Sequence, residues 1–183
     1  MKLRLATAAD VDEIVRLVNS AYRGDSSRRG WTTEADLLGG QRTDALAIHD
    51  FLTAQPEKVM LVHADAAGRL LACVQLEQRG QSAYLGMLTI HPDHQASGLG
   101  RSLLSGAEQF VRSRWQITSV IMSVIRQRDE LIAWYERRGY RQSGETAAFP
   151  YGDLRFGEPK RTDLQFVILC KEWASHESVM VAT

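Results

Sequence analysis

The stretch at residues 89–104, TIHPDHQASGLGRSLL, constrains the fold more than any other part of this sequence. It begins as the end of an apolar strand, passes through a loop of small residues that includes Gly98 and Gly100, and ends as the start of an apolar-faced helix. The first turn of a helix has backbone N–H groups without intrahelical partners and carries the positive end of the helix dipole. Because small residues leave those groups accessible, the stretch predicts a site for an anion, above all a phosphate.

A glycine pair before a helix is weak evidence by itself, because a tight strand-to-helix turn would use the same residues. The dinucleotide fingerprint G-x-G-x-x-G and the nucleotide-hydrolase loop G-x-x-x-x-G-K-[ST] are both absent from this stretch. What it contains is Gln95-x-x-Gly98-x-Gly100, followed by Arg101 and Ser102. These residues leave both interpretations open.

The periodicity of the flanking segments predicts the fold class. Alternating or continuous apolar runs predict six main strands, namely KLRLAT, KVMLVHAD, LLACVQLEQ, AYLGMLTIH, SVIMSVI and DLQFVILCKEW, with a further extended segment at YRQSGE. Helical spacing predicts helices after residue 7, at DALAIHDFLTAQP, after the glycine loop and at DELIAWYERR, with a short one near residues 34–38. DAAGR and RGQS separate the middle strands at hairpin lengths, so this part of the sheet should be antiparallel. We predict one mixed α/β domain over residues 1–173, and a tail at 174–183 that could be disordered.

Composition limits the classes of partner. The 22 basic and 22 acidic residues cancel, which argues against nonspecific nucleic-acid binding. No apolar run approaches the roughly 20 residues of a membrane span, and MKLRLATAAD lacks a signal-peptide core, so we expect a cytoplasmic protein that binds no membrane. Cys73 and Cys170 lie in apolar runs, and His91 and His94 have no third ligand cluster nearby. We therefore expect no disulfide and no metal site.

Two separated motifs carry a family resemblance. The pattern Gln95-x-x-Gly98-x-Gly100 after an apolar strand resembles the pyrophosphate-binding signature Q/R-x-x-G-x-G/A of the GNAT-type N-acetyltransferase superfamily. LIAWYERRGY, about 35 residues later, resembles the family's second hallmark, a helix with an aromatic-Tyr pair that ends in Gly-Tyr or Gly-Phe. The resemblance covers roughly residues 3–173 and implies a mixed, mostly antiparallel sheet that is splayed at its central strands and flanked by helices.

The resemblance implies acetyl-CoA as the acyl donor. In such enzymes the end of the central strand pairs with the pantetheine arm, and the glycine loop holds the pyrophosphate. The cofactor-binding residues implied here are Leu88, Thr89, Ile90, Gln95, Ala96, Ser97, Gly98, Leu99, Gly100, Arg101 and Ser102. The family often has an asparagine seven residues before its tyrosine, whereas this chain has Arg128, which puts that cofactor contact in doubt, although an arginine could reach a phosphate.

Two residues are candidates for proton transfer. Tyr135 matches the family tyrosine that is proposed to protonate the departing thiolate, and the alternative is that it only packs on a helix face with Leu131 and Trp134. The attacking amine must be neutral, and its pKa of about 10.4 requires a proton acceptor. Glu77, near the end of its strand, is the candidate base through a water, and the alternative is a solvated glutamate. Tyr84 is a weaker candidate.

The acceptor site is expected in two long polar loops with aromatic residues. In this family it is built from the loop after the first helix and the loop before the last strand. The candidate acceptor-binding residues are Trp31, Glu34, Tyr151 and Arg155. Arginines there could bind a carboxylate and acidic groups could bind an amine, but loop charges are more often solvated.

The function predicted is transfer of an acetyl group from acetyl-CoA to a primary amine of a small molecule or peptide, by direct attack in a ternary complex. Neither cysteine has a histidine nearby in sequence to activate it, which disfavours a covalent route. The alternative is a noncatalytic acyl-CoA-binding sensor, which would need neither Tyr135 nor a base. The sequence does not decide between a monomer and a homodimer.

Overall fold

The computed structural model describes residues 1–173 and contains one large sheet with helices on both faces. The strands are β1 (Arg4–Leu5), β2 (Leu38–Gly39), β3 (Lys58–Ala64), β4 (Leu70–Arg79), β5 (Ser82–Ile90), β6 (Ser119–Ile125), β7 (Arg141–Ala148), β8 (Glu158–Pro159) and β9 (Gln165–Glu172). The α-helices are α1 (Val11–Tyr22), α2 (Gly24–Ser27), α3 (Ala45–Thr53), α4 (Leu99–Arg114) and α5 (Asp129–Glu136). The predicted tail at 174–183 lies outside the described residues.

Seven strands form the main sheet in the order β1-β3-β4-β5-β6-β9-β7. Every neighbouring pair is antiparallel except β5 and β6, which are parallel. The predicted mixed, mostly antiparallel sheet is therefore confirmed, including the hairpins on either side of β4. The two-stranded ribbon of β2 and β8 was not predicted, because each strand has only two residues and carries no periodicity.

The central strands separate after a short paired stretch. β5 pairs with β6 only through Ser82–Tyr84 and Ser119–Ile121, although both strands continue beyond it. On its other edge β5 carries a bulge against β4: the register runs from Gln75 opposite Gly86 to Cys73 opposite Thr89, which leaves one extra residue in β5. Because bulges bend and twist a strand, this one accompanies the opening between β5 and β6.

Alternation along the strands divides the core between the two faces of the sheet. In β3, Met60 and Val62 pack against α1 and α3, whereas Val59 and Leu61 belong to the cluster that includes the buried face of α4. Each such buried aliphatic side chain contributes roughly 1.5–3 kcal/mol relative to exposure. The helices are thereby fixed on the sheet, and the glycine loop before α4 has a fixed position at the end of β5.

The segment after α1 differs in detail from the prediction. The short helix lies at Gly24–Ser27 rather than near residues 34–38. At the latter position the N–H groups of Leu37 and Leu38 both donate to the Glu34 carbonyl, at 2.9 and 2.8 Å, which makes a single turn. The chain then enters β2, where Leu38 lies opposite Pro159 of β8. Pairing with a distant segment thus replaces the local helix.

Candidate active site

A cleft of about 320 Å³ lies where β5 and β6 diverge. It is lined by Tyr22, Trp31, Thr32, Leu88, Ile90, Gln95, Ala96, Gly98, Gly100, Arg101, Arg128, Leu131, Trp134, Tyr135 and Arg138. Within residues 1–173, this lining includes three arginines and no carboxylate. The cleft therefore joins both sequence motifs, the glycine loop and the aromatic helix, in one site.

The glycine loop presents unpaired amides at one end of the cleft. Within residues 1–173, the N–H groups of residues 96–101 have no hydrogen-bond acceptor, and the first bonded amide is that of Ser102, which donates to the Gly98 carbonyl at 3.1 Å. Ala96 and Gly98 have φ values of 64° and 88°, in the left-handed region. Successive amides in such a turn, next to a helix N-terminus, form a concavity that suits an anion.

The end of β5 provides the adjoining wall. Leu88 and Ile90 line the cleft, whereas Thr89 is buried and its hydroxyl donates to the Met87 carbonyl at 2.9 Å. The Leu88 carbonyl already accepts a hydrogen bond of 2.8 Å from the Tyr22 hydroxyl. A carbonyl has two lone pairs, so a ligand could still bind this strand edge, but it would share the Leu88 oxygen with Tyr22.

Gln95 has a role that sequence reasoning missed. Its Oε1 accepts hydrogen bonds from the N–H groups of Trp31 and Thr32, at 2.9 and 3.3 Å. Its Nε2 donates to the Thr32 hydroxyl and to the Ile90 carbonyl, at 2.8 and 3.1 Å. The side chain therefore fastens the loop after α2 to the end of β5. Nothing local in the sequence signals this contact, which spans 64 positions.

One stripe along α5 and its ends forms the facing wall. Arg128, Leu131, Trp134, Tyr135 and Arg138 follow the three- and four-residue spacing of one helix face, and all of them line the cleft. The Arg138 guanidinium stacks over the Trp134 ring, 3.6 Å from its centroid, and donates to the Trp134 carbonyl at 2.6 Å. This stripe could have been read from the sequence, because the spacing is local.

Tyr135 is 5% exposed, and its ring contacts Trp134 and Tyr140 edge-on, with centroid distances of 5.0 and 5.6 Å. Burial raises the pKa of Tyr135 above its ordinary value, since the phenolate is costly to desolvate. The phenol is therefore in its protonated form at neutral pH. Tyr135 therefore packs against its aromatic neighbours and also lines the cleft, as a role in proton transfer would require.

Arg128 lines the cleft and takes part in a buried ion cluster. Its Nη1 donates to Glu34 Oε1 at 2.9 Å and its Nη2 to the Thr32 carbonyl at 2.7 Å. Arg23 pairs with the other oxygen of Glu34, and all three side chains are under 10% exposed. Burial acts to raise the pKa of Glu34, but Arg128 and Arg23 outweigh it and hold the pKa below its usual value. Both Glu34 oxygens are thus engaged by the protein, which leaves that carboxylate poorly placed to bind an amine.

Glu77 does not line the cleft. It lies opposite Tyr84 in the β4–β5 pairing, accepts a hydrogen bond from Arg79 at 2.9 Å, and is 3.7 Å from the Lys58 ammonium. Against the effect of burial, Arg79 and Lys58 lower the pKa of Glu77, which weakens it as a base. Tyr84 is covered by the Arg79 guanidinium, 4.1 Å from its ring centroid. The role of Glu77 stays a prediction that this geometry does not favour.

The two loops expected to form the acceptor site do meet. β2 and β8 pair, and Lys160 Nζ donates to the Ala35 carbonyl at 2.6 Å. Trp31 lies against Trp134, with 6.1 Å between ring centroids, and lines the cleft. Tyr151 and Arg155 do not line it.

Both of these residues have partners within the segment between β7 and β9. The Tyr151 hydroxyl accepts from the Leu164 N–H at 2.7 Å. Arg155 is exposed and pairs with Asp153. Their acceptor-binding roles stay predictions, and of the four candidates only Trp31 lies in the cleft wall.

A second groove of about 520 Å³ adjoins the cleft. Its lining residues are Arg101, Leu104, Ser105, Glu108, Arg137, Arg138 and Lys171. Arg101 and Arg138 belong to both cavities, so the glycine loop opens toward a surface with several cationic groups. Within residues 1–173, no group of three or more His, Cys, Asp or Glu side chains is arranged to hold a metal ion.

A family model described as the Acetyltransferase (GNAT) family matches residues 13–140, well over half of the chain. The chain belongs to the GNAT acetyltransferase family. No match was found among curated proteins. In the part of this GNAT chain that the structure describes, no helix is both long enough and apolar enough to cross a membrane.

Solved structures share the GNAT fold at low sequence identity. The ribosomal-protein-S18-alanine N-acetyltransferase from Escherichia coli has a TM-score of 0.70 and 15% identity, with 100% of this chain and 99% of that chain covered. The ribosomal-protein-alanine N-acetyltransferase from Brucella melitensis has a TM-score of 0.69, 18% identity, and coverage of 94% and 100%. A mutant of the spermidine N-acetyltransferase from Vibrio cholerae has a TM-score of 0.66, 16% identity, and coverage of 94% and 95%. At these identities the likeness concerns the fold.

Proposed function

We propose that this GNAT protein transfers an acetyl group from acetyl-CoA to a primary amine, by direct attack in a ternary complex. The observation that carries the proposal is the run of unpaired amides at residues 96–101, which opens into the same cleft as Tyr135. The unpaired amides would bind an anionic diphosphate, and the Tyr135 phenol would protonate the thiolate that departs from a thioester. The amine acceptors named for the structural neighbours fit this reaction class.

The residues present fit coenzyme A at the loop. Gly100 leaves room: a Cβ built there would lie 3.5 Å from Trp134 and 3.7 Å from Ile90, so a side chain at this position would occupy the cleft wall. Residues 96–101 would hold the diphosphate by their amides, with Arg101 and Arg138 supplying positive charge beside it. The edge of β5 at Leu88 and Ile90 would hold the uncharged arm of the cofactor.

In the proposed reaction the neutral amine attacks the thioester carbonyl carbon, a C–N bond forms, and the C–S bond breaks. The thiolate takes the phenolic proton of Tyr135, and the nitrogen loses one proton to water. Tyr135 then regains its proton from solvent, so the products are an acetamide and coenzyme A. Glu77 was predicted as the proton acceptor, and that role would require a chain of waters from outside the cleft.

The cysteines support the direct route over an acetyl-enzyme. Cys73 is fully buried in β4, and burial raises its pKa to about 12, so it is a thiol rather than a thiolate at neutral pH. Cys170 lies in β9, opposite Ile121, and does not line the cleft. We therefore assign the acetyl transfer to a single step between the two substrates.

The test has two stages. Thermal unfolding with coenzyme A, acetyl-CoA, ATP or NAD should show stabilisation by the first two; stabilisation by ATP or NAD but not by coenzyme A would contradict the proposal. Release of free thiol from acetyl-CoA should then be followed across a library of primary amines. Binding without thiol release for any amine would favour the sensor alternative.

A further inference from the structure

We propose that the acceptor amine carries a carboxylate near its reactive nitrogen. This inference rests on the proposed acetyl transfer and names the substrate class for the same site. It comes from the charge of the groups around Tyr22. Tyr22 and Arg128 line the cleft, whereas Arg23, Arg42 and Glu34 do not line it and are connected to those two residues by direct contacts. We call these groups the arginine cluster and define it as Arg23, Arg42, Arg128 and Glu34.

The arginine cluster has more positive than negative charge. Glu34 is shared by Arg23 and Arg128, whose side chains are 4% and 8% exposed. Arg42 is half-buried, its guanidinium lies 5.8 Å from the centroid of the Tyr22 ring, and it forms no salt bridge within residues 1–173. The cluster therefore contains three guanidinium groups and one carboxylate, which leaves a formal excess of two positive charges.

Several donors in the cluster are unused. Arg23 Nε is buried and has no hydrogen-bond partner among the described residues, but it lies beside Gly157 rather than in the cleft wall. Arg128, which lines the cleft, donates one N–H to Glu34 and one to the Thr32 carbonyl. A guanidinium has five N–H groups, so three on Arg128 are without a partner in residues 1–173. Two buried guanidinium groups that share one carboxylate are only partly neutralised, and a bound anion would offset the remaining cost.

The proposed donor does not supply that anion. Its diphosphate would lie at residues 96–101, beside Arg101 and Arg138, and the arm that reaches the thioester is uncharged. Tyr22 connects the cluster to the reacting end of the cleft, because its hydroxyl bonds the Leu88 carbonyl while its ring faces Arg42. The excess positive charge of the arginine cluster is therefore available to bind the acceptor. A carboxylate fits best, because a guanidinium binds it through charge-assisted and often paired hydrogen bonds.

The same charges disfavour a polycationic acceptor. No carboxylate lines the cleft in the described part of the chain, and the one acidic group behind it is already bound by two arginines. A polyamine is itself positively charged, so the excess positive charge of the arginine cluster would repel it and disfavour this substrate class. The acceptor of the Vibrio cholerae neighbour, spermidine, is thus not the class that this cleft fits.

The test compares amines that differ in one charge. We would measure kcat/KM by thiol release at fixed pH and salt for several amino acids, the corresponding amino acid amides, and spermidine. The carboxylates should exceed their amides by about tenfold or more, as expected for a hydrogen bond to a charged group, and spermidine should be the poorest acceptor. Equal values for acid and amide, or a preference for spermidine, would overturn the inference while leaving the acetyl transfer intact.

Variants connect the preference to the cluster. Arg42→Gln should reduce the ratio of acid to amide several-fold without changing KM for acetyl-CoA, whereas Arg42→Lys should retain most of it. Arg16→Gln, which removes a charge from the exposed face of α1, is the matched control and should leave the ratio unchanged. A ratio that Arg42→Gln does not alter would refute the role of the cluster. If no amine at all accepts the acetyl group, the proposed function fails and this inference fails with it.

Discussion

Gln95 Oε1 accepts a hydrogen bond of 2.9 Å from the backbone N–H of Trp31, which places the indole against Trp134 on the opposite wall of the cleft. The loop that carries Trp31 is held again by Arg128, through the Thr32 carbonyl. The glycine loop and the loop after α2 are therefore fastened to each other by the Gln95 side chain. Loss of that side chain should affect the site more than the fold.

Gln95→Ala should lower kcat/KM for acetyl-CoA by about tenfold or more, because it leaves two backbone N–H groups of the loop without their acceptor. Gly30→Ala should act in the same direction, since a Cβ there would lie 2.5 Å from Gln95 Oε1 and displace it. Gln81→Ala, in the exposed β4–β5 turn, is the control. Steady-state kinetics and tryptophan fluorescence would check this, and unchanged values for Gln95→Ala would contradict the proposed fastening.

Gly100→Ala should separate ligand binding from folding. The new methyl would make ordinary contacts with Trp134 and Ile90, and alanine favours a helix over glycine by about 1 kcal/mol, so the melting temperature should be unchanged or higher. The methyl would also stand in the cleft wall beside the amides, and we expect affinity for coenzyme A to fall about tenfold or more. Calorimetric titration and thermal unfolding without ligand would measure both, with Ser113→Ala later in α4 as the control. Normal coenzyme A binding by Gly100→Ala would argue against the loop as the diphosphate site.

Tyr135→Phe should reduce kcat by about 10²–10³-fold with little change in KM for acetyl-CoA, as expected for loss of a general acid. Because burial raises the pKa of Tyr135, its ionisation should cause no loss of activity below about pH 10. Tyr140→Phe is a suitable control, since its hydroxyl bonds Glu108 at 3.0 Å outside the cleft. Full activity of Tyr135→Phe would remove the residue from the reaction and leave it a packing role.

Asp10→Asn should destabilise the fold in a way that depends on pH. The hydrogen bonds from Arg4, together with those from Thr7, lower the pKa of Asp10 to about 2, below its unfolded value. Asp10 therefore adds stability above about pH 4, and this contribution is lost as the pH falls toward 2. Since Arg4 is 48% exposed, we expect a loss of only about 1–2 kcal/mol at pH 7.

Urea denaturation of the wild type and Asp10→Asn at pH 7 and at pH 2.5 would measure this difference. Asp12→Asn, on the exposed side of α1, should change stability little at either pH. If Asp10→Asn lowered the free energy of unfolding by the same amount at both pH values, the carboxylate charge would not be the cause of the loss.

The main elements could be predicted because their signals are local. The apolar runs of β3 to β6, the hairpin-length turns between β3, β4 and β5, and the stripe along α5 all depend on residues within a few positions of one another. The same holds for Gly139, which follows α5 with a φ of 88° in the left-handed region that glycine favours at a helix end. Apolar periodicity and turn length thus sufficed for the main strands and for α5, but not for the short α2, β2 and β8.

The site depended more on contacts between distant segments. Glu34 was expected to bind substrate, and only the fold shows that Arg128, 94 positions later, occupies one of its oxygens. Glu77 has the strand alternation that was expected to point it into the cleft. Its side chain instead contacts Lys58 of β3 and Arg79 of β4, and it does not line the cleft. Alternation gives the face of a strand but not which cavity, if any, that face adjoins.

What the sequence determined by itself was the strand, loop and helix at residues 89–104 and the order of elements around it, because backbone propensity and apolar spacing act over short distances. What the tertiary structure alone decided was the partner of each polar side chain: Gln95 with Trp31, Arg128 with Glu34, and β2 with β8. Those pairings require buried groups from remote segments to satisfy one another's hydrogen bonds and charge, and no local pattern encodes that requirement.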